Sequence, residues 1–166
     1  MAIKYTKSVV GKITIGPHLE IHVSGVNFIN SKRQYTMNVD IREYRNRKNG
    51  KGSYTWHGVS FSREDAMKIY DKILKLPPVN TSTERHTEVI RLAKNPRLDL
   101  IVGVTVFNDR TSLDFREWVK DSYNGYTGFS NKGTRFSYEY KDDIANLLLE
   151  ACTTLQDRYD KWLGLK

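Results

Sequence analysis

An internal repeat limits this chain's fold more than any other feature, because two copies of one unit must build two copies of one structure. Val39-Asp40-Ile41-Arg42-Glu43-Tyr44 matches Leu113-Asp114-Phe115-Arg116-Glu117-Trp118 position for position: apolar, Asp, apolar, Arg, Glu, aromatic. Gly58-Val59-Ser60-Phe61-Ser62 matches Gly133-Thr134-Arg135-Phe136-Ser137, Glu64 matches Glu139, Ile69 matches Ile144, and Ile73-Leu74 matches Leu148-Leu149. The shift is 74 residues for the first block and 75 for the others, so the copies differ by one residue in a connecting loop. The reading is a single pseudo-twofold domain with repeat one at 8–76 and repeat two at 84–166. Pro77-Pro78-Val79-Asn80-Thr81-Ser82-Thr83 cannot continue a helix and reads as the linker, 77–83.

Each unit reads as strands followed by a helix. In the first, Leu19–Ser24, Gln34–Arg45 and Tyr54–Phe61 are rich in β-branched and aromatic residues, and Lys12–Ile15 adds a fourth strand. In the second, the strands are His86–Lys94, Leu98–Phe107, Thr111–Lys120 and Thr134–Tyr138, with a tight hairpin at Asn108-Asp109-Arg110 and a long loop over 121–131. Ser62 reads as the N-cap of the first helix, with Asp65 in a capping-box-like position. Ile144, Leu147, Leu148, Ala151, Leu155, Tyr159, Trp162 and Leu163 form one stripe on the second helix, a core or pseudo-dimer face. The tail from Gln156 onward is expected to cover a neighbouring subunit. The fold class is α+β: two repeats of about four antiparallel strands plus a C-terminal helix, packed as a pseudo-dimer.

The charge is uneven. The chain carries net +8, and residues 1–76 supply all of it, with 14 Lys and Arg against 6 Asp and Glu; residues 77–166 balance at 13 of each. The excess peaks at Lys32, Arg33, Arg42, Arg45, Arg47, Lys48 and Lys51, interleaved with Tyr35, Tyr44, Tyr54 and Trp56. Basic groups among aromatics suit a polyanion with flat bases; a solvated basic hairpin is the plain alternative.

Side chains alternate across a strand. Met37, Val39 and Ile41 therefore share one face and Asn38, Asp40, Arg42 and Tyr44 the other. In the second copy Leu113, Phe115 and Val119 point inward, while Ser112, Asp114, Arg116, Trp118 and Lys120 point outward. Each outer row sets an arginine two residues from an aromatic. Such an arginine forks onto a phosphate or stacks on a base; equally, Arg42 pairs with Asp40 or Glu43, and Arg116 with Asp114 or Glu117, as ordinary ion pairs.

The motif Val39–Tyr44, then a basic loop, then Gly58–Ser62 leading into a helix, resembles the core of the transcriptional coactivator family positive cofactor four. The wider superfamily includes the Whirly proteins, which carry two such units in one chain. The match is close over 35–76 and looser over 111–151. The resemblance implies a twisted antiparallel sheet and a helix per unit, units packed helix to helix, and sheets that grip single-stranded DNA largely without regard to sequence. It places the family's strand arginine on Arg42 and Arg116, its neighbouring aromatic on Tyr44 and Trp118, and its basic residue before the last-strand glycine on His57 and Lys132. The chain departs from the pattern at His57, where lysine is usual, at Arg45 and Val119, where a second aromatic is frequent, and at Arg135, which takes a small serine position. The expected binding residues are thus Arg33, Tyr35, Arg42, Tyr44, Arg45, Arg47, Lys48, Lys51, Trp56 and His57, with Arg116, Trp118, Lys120, Tyr126, Lys132 and Arg135 in a weaker second unit that also offers Tyr123 and Phe129 for stacking.

Other chemistry finds little support. No phosphate-binding loop, Gly-x-Gly-x-x-Gly or Gly-x-Ser-x-Gly occurs. His18 and His22 have ligand-like spacing only on a helix, and that stretch reads as strand. Asp40 with Glu43, or Asp114 with Glu117, would suit a nuclease metal only if both faced one way, and positions i and i+3 of a strand do not. The single cysteine, Cys152, allows no internal disulfide and no thiolate zinc site. No cofactor, metal or membrane partner is expected. The N-terminus lacks a signal-peptide pattern, so the expected setting is intracellular, cytoplasmic or nucleoid-associated. The expected function is non-catalytic single-stranded DNA binding in replication, recombination or transcription. RNA is the alternative ligand, an acidic transcription partner a further one, and additional homo-oligomerisation is left open.

Overall fold

The computed structural model describes residues 4–47 and 50–164. Two four-stranded antiparallel sheets form, each followed by a helix. The first contains β1 (Lys4–Gly16), β2 (Leu19–Ile29), β3 (Tyr35–Asn46) and β4 (Gly52–Ser62) in sequential order, then α1 (Arg63–Leu74). The second contains β5 (His86–Asn95), β6 (Leu98–Phe107), β7 (Arg110–Val119) and β8 (Gly128–Ser137) in the same order, then a 3-10 turn at Tyr138–Tyr140 and α2 (Lys141–Trp162). The expected architecture is therefore the observed one.

Local chemistry explains the punctuation. The Ser62 side chain accepts the Asp65 backbone N–H at 3.0 Å and caps α1. Asn108 and Asp109 both have positive φ, 49° and 61°, which fits the two-residue hairpin turn joining β6 to β7. Arg110 already belongs to β7, and β8 begins at Gly128, so the long second-half loop ends earlier than the expected 131. β1 also starts earlier than expected, at Lys4.

One apolar core spans both halves. Ile21, Val23, Val39, Ile41 and Val59 from the first sheet join Leu100, Val102, Leu113 and Phe115 from the second. Phe115 stacks with Phe61 at 6.3 Å and with Phe136 at 5.9 Å, so one ring links β4 to the second sheet. The helices also cross between halves. α2 follows the second sheet but packs on β1, β2 and β3 of the first, while α1 touches β5 as well as β3 and β4. The two helices meet, and the Arg63 Nε donates to the Cys152 carbonyl at 3.0 Å. A Cβ on Gly25 would lie 3.1 Å from Leu155 Cγ, which shows how closely α2 approaches β2. The Cys152 thiol is buried, and burial pushes its pKa up.

The C-terminal stretch returns to the first half. Tyr159 and Trp162 pack their rings 5.1 and 5.2 Å from Tyr35, and Arg158 donates to the Asn27 side chain at 3.0 Å. The tail thus packs in part on this chain's own first sheet. Among the described residues, no helix is long and apolar enough to cross a membrane.

The bulge on the last strand of each sheet repeats in detail. Pairing shifts by two residues between Arg42 and Tyr44 against β4, and again between Arg116 and Trp118 against β8. Beside each bulge, Gly58 and Gly133 lie so close to the neighbouring strand that an added Cβ would stand 2.6 Å from the Ile41 carbonyl oxygen and 2.5 Å from that of Phe115. The obstacle is paired backbone, which yields less readily than a side chain end. Gly58→Ala is expected to destabilise the fold by about 1–3 kcal/mol in urea titration, and an unchanged midpoint would show that the strand can shift aside.

Candidate nucleic-acid interface

The outer face of the first sheet is built by β1, β2, β3 and β4, whose opposite face is spent on the core. Asp40 is 5% exposed and accepts from Arg42 NH2 at 3.1 Å and Ser60 Oγ at 2.6 Å on Oδ1. Its Oδ2 accepts from Arg42 Nε at 3.3 Å and lies 3.7 Å from Lys7 Nζ. Arg42 NH1 donates to the Thr55 carbonyl at 3.3 Å, inside the β4 bulge. The arginine is therefore held in place by three of its N–H groups. Its side chain keeps 24% exposure, so the guanidinium sits on the surface and not in the core.

Beside it lies an aromatic cluster. Tyr44 stacks on His22 at 4.4 Å, and Tyr54 stands edge-on to Tyr44 at 5.0 Å. Glu20 and Tyr54 fix the imidazole from its two sides: His22 Nε2 is 3.1 Å from Glu20 Oε1 and Nδ1 is 3.0 Å from the Tyr54 hydroxyl. A carboxylate only accepts, so in neutral His22 Nε2 donates and Nδ1 accepts the tyrosine proton. Lys7 Nζ sits 3.8 Å over the Tyr54 ring. Burial, with nearby Asp40 adding to it, pushes the Tyr54 hydroxyl pKa up, so the phenol stays protonated over a wider range. Lys12 and then His22 hold the Glu20 carboxyl below the usual range. That stabilisation is present at neutral pH and is lost as pH falls through the lowered value.

The second sheet repeats this arrangement with substitutions. Arg116 Nε donates to Asp114 Oδ2 at 3.2 Å, and NH1 donates to the Ser130 carbonyl at 3.2 Å, as Arg42 does with Asp40 and Thr55. In both bulges a hydroxyl accepts the N–H two residues on, Thr55 from His57 at 3.1 Å and Ser130 from Lys132 at 3.0 Å. Trp118 meets Phe129 edge-on at 4.8 Å, in place of Tyr44 and Tyr54. His86 lies 5.1 Å from Phe129, where Lys7 covers Tyr54. Asp99 stands where Glu20 does. Burial alone would raise its pKa, but hydrogen bonds from Lys120 at 2.8 Å and Arg91 at 3.2 Å outweigh that and hold it below the usual range.

Of the sequence-predicted residues, the structure brings Arg42, Tyr44, Trp56 and His57 together on the first outer face. Trp56 is 57% exposed, at the tip of the bulge against His57, with 3.9 Å between ring centroids. On the second face it brings together Arg116, Trp118, Lys120, Lys132 and Arg135. Arg45 pairs with Glu43 at 3.1 Å and lines, with Arg47, a groove of about 720 Å³ at the end of the first sheet. Lys51 is exposed in the β3–β4 loop, and Arg33 is exposed in the β2–β3 turn at φ 60°. Tyr126 is exposed, its hydroxyl donating to the Phe129 carbonyl at 2.7 Å. Lys48 lies outside the described residues.

Tyr35 is a correction. It shares the inner face of β3 and packs under α2 against Tyr159 and Trp162, so it does not join the outer surface. Its place follows from strand alternation, since it has the parity of Val39 and Ile41. Residue reasoning named Tyr54 and Phe129 only as stacking aromatics and passed over Lys7, His22 and His86 as members of the two faces. The first hairpins align at a shift of 79 residues, Gly16 opposite Leu19 and Asn95 opposite Leu98, whereas the strand motif aligns at 74. The β2–β3 connection, Asn30–Gln34, replaces a two-residue turn, and that insertion hides the upstream half of the repeat. Comparing β1–β2 with β5–β6 at their own shift would have exposed the pairs Lys12 with Glu20 and Arg91 with Asp99.

No family model and no curated protein matches the chain. Among solved structures, the crystal structure of WHY1 from Arabidopsis thaliana aligns with a TM-score of 0.43 at 8% identity, covering 99% of this chain and 92% of that one.

Among the described residues, no group of three or more His, Cys, Asp and Glu side chains converges as a metal site would require. Asp40 lies on the outer face while Glu43 follows Ile41 to the other and binds Arg45. Asp114 and Glu117 divide in the same way, Glu117 accepting from Lys94 at 2.8 Å.

Proposed function

We propose that this protein binds single-stranded nucleic acid, DNA in the first instance, along the outer faces of its two sheets. One observation carries the reading: each face sets edge-to-face aromatic rings beside an arginine whose orientation is fixed by an aspartate and by a bulge carbonyl. Fixed rings present flat surfaces on which any base can stack, and a surface guanidinium beside them meets the backbone phosphate. Two such faces on one chain make it a self-contained pseudo-twofold body, with units 8–76 and 84–166 joined by 77–83. The Tyr138 hydroxyl donates to the Pro77 carbonyl and ties that linker to the second unit. The first unit, with its excess of basic residues, dominates affinity; the second contributes stacking. No step of this function needs catalysis, and it suits replication, recombination or transcription, where strands are unpaired.

The test is titration of labelled single-stranded and duplex oligonucleotides at several salt concentrations. Each neutralised phosphate on a single strand contributes a slope of about −0.7 in log K against log salt, so a handful of contacts gives a slope of about −3. Tighter binding of the duplex, or a slope near zero, would overturn the reading. An RNA competitor that displaces DNA at equal concentration would move the assignment to RNA.

A further inference from the structure

The two faces differ at a buried carboxylate oxygen. In the first half Asp40 is saturated: Ser60 and Arg42 occupy Oδ1, and Arg42 and Lys7 flank Oδ2. In the second half Arg135 stands in the place of Ser60 and His86 in that of Lys7. Asp114 is 3% exposed, and its Oδ2 accepts from Arg116 Nε and Arg135 NH2, each at 3.2 Å. Among the described residues, nothing donates to its Oδ1. A buried carboxylate oxygen without a donor is costly.

Asp114 lines a groove of about 420 Å³ on the outer face of the second sheet, together with His86, Arg116, Phe129 and Arg135. The groove's chemistry defines its occupant. Phe129 and His86 offer flat ring walls. The carboxylate accepts only, so the group facing it must donate. The two guanidinium groups donate only, so the neighbouring ligand atoms must accept. Cytosine presents this pattern, an exocyclic amino group followed by two acceptors, a ring nitrogen and a carbonyl oxygen, whereas adenine has only the ring nitrogen beside its amino group and thymine turns a carbonyl oxygen toward the carboxylate. Arg135 lines the groove with a side chain that is 52% exposed and grips Asp114 Oδ2 through one terminal nitrogen. It can swing to a phosphate as a base enters.

Resting on the single-strand reading above, we propose that this groove is a base-reading pocket in which Asp114 Oδ1 accepts the amino group of a cytosine while Arg116 and Arg135 engage its acceptor edge and phosphate. The second sheet thereby adds a base preference to a face that otherwise binds any strand.

The experiment measures anisotropy of labelled oligo-dC and oligo-dT of equal length at one salt concentration. The wild type is expected to hold oligo-dC about tenfold more tightly. Arg135→Ser places a hydroxyl where Ser60 stands and fills Oδ1, so the ratio is expected to fall to near one, with oligo-dT affinity lowered only about two- to threefold. Asp114→Asn, which turns an acceptor into a donor, is expected to shift the ratio toward oligo-dT. Equal binding of both oligomers by the wild type, or a cytosine preference that survives Arg135→Ser, overturns the pocket and leaves single-strand binding standing. Binding of neither oligomer overturns both.

Discussion

Phe115→Ala is expected to cost about 3–5 kcal/mol and to lower the melting temperature by about 10 °C or more. Phe115 is fully buried, and its ring packs near-parallel to those of Phe61 from the first half and Phe136 from the second. The cavity left by truncation would open where the halves meet, and paired strands on both sides limit how far it can collapse. Phe115→Leu, which leaves a smaller void, is expected to lose less. Leu149→Ala is the control: that side chain is 38% exposed, so its removal should change stability by about 0.5 kcal/mol or less. Thermal and urea denaturation of the three variants checks the order. A loss below about 1 kcal/mol for Phe115→Ala would mean that the two sheets do not share one core.

Removing Tyr54 and Trp56 together is expected to weaken oligonucleotide binding about 100-fold while the fold persists. Base stacking on an aromatic is worth about 1–3 kcal/mol per base by truncation, and both rings are exposed on the first face. Phe129→Ala on the second face is expected to cost about fivefold, because a weaker face loses less when its stacking surface goes. Anisotropy with a labelled oligo-dT reads both effects, and circular dichroism confirms that the variants remain folded. Unchanged affinity in the double variant would remove the first sheet from the interface. Arg42→Ala is a poorer probe. It strips a partner from buried Asp40 and from the Thr55 carbonyl, so lost binding would be mixed with lost structure.

The ion pairs on the two faces reconcile the alternatives left open by the residues. Arg42 does pair with Asp40, and Arg116 with Asp114. With the carboxylate buried, such a pair is weak evidence for stability, because desolvation offsets the attraction. Here the pairing has a geometric result: both arginines are fixed beside an aromatic pair, their remaining N–H groups free of the clamp.

Much was legible in the residues because it depends on local rules. Strand alternation put Val39, Ile41, Leu113 and Phe115 on the core face and Asp40, Arg42, Asp114 and Arg116 on the other, where they lie in the fold. The Ser62 cap and the Asn108-Asp109 turn followed from side-chain chemistry that acts within a few residues. The repeated hexapeptide implied two like sheets. Tyr35 shows where a sequence rule was set aside, since the same alternation that buried Val39 also buries it.

The order of strands, their inner and outer rows and the doubling of the unit were thus written in the chain itself, since each rests on periodicity and on contacts between near neighbours. Which sheet α2 covers, the union of the two cores through Phe115, the His22–Tyr44–Tyr54 cluster and the open oxygen of Asp114 were decided only in three dimensions. Each depends on side chains from elements far apart in sequence, and whether an acceptor is satisfied is fixed by which donors the neighbouring strands bring within reach.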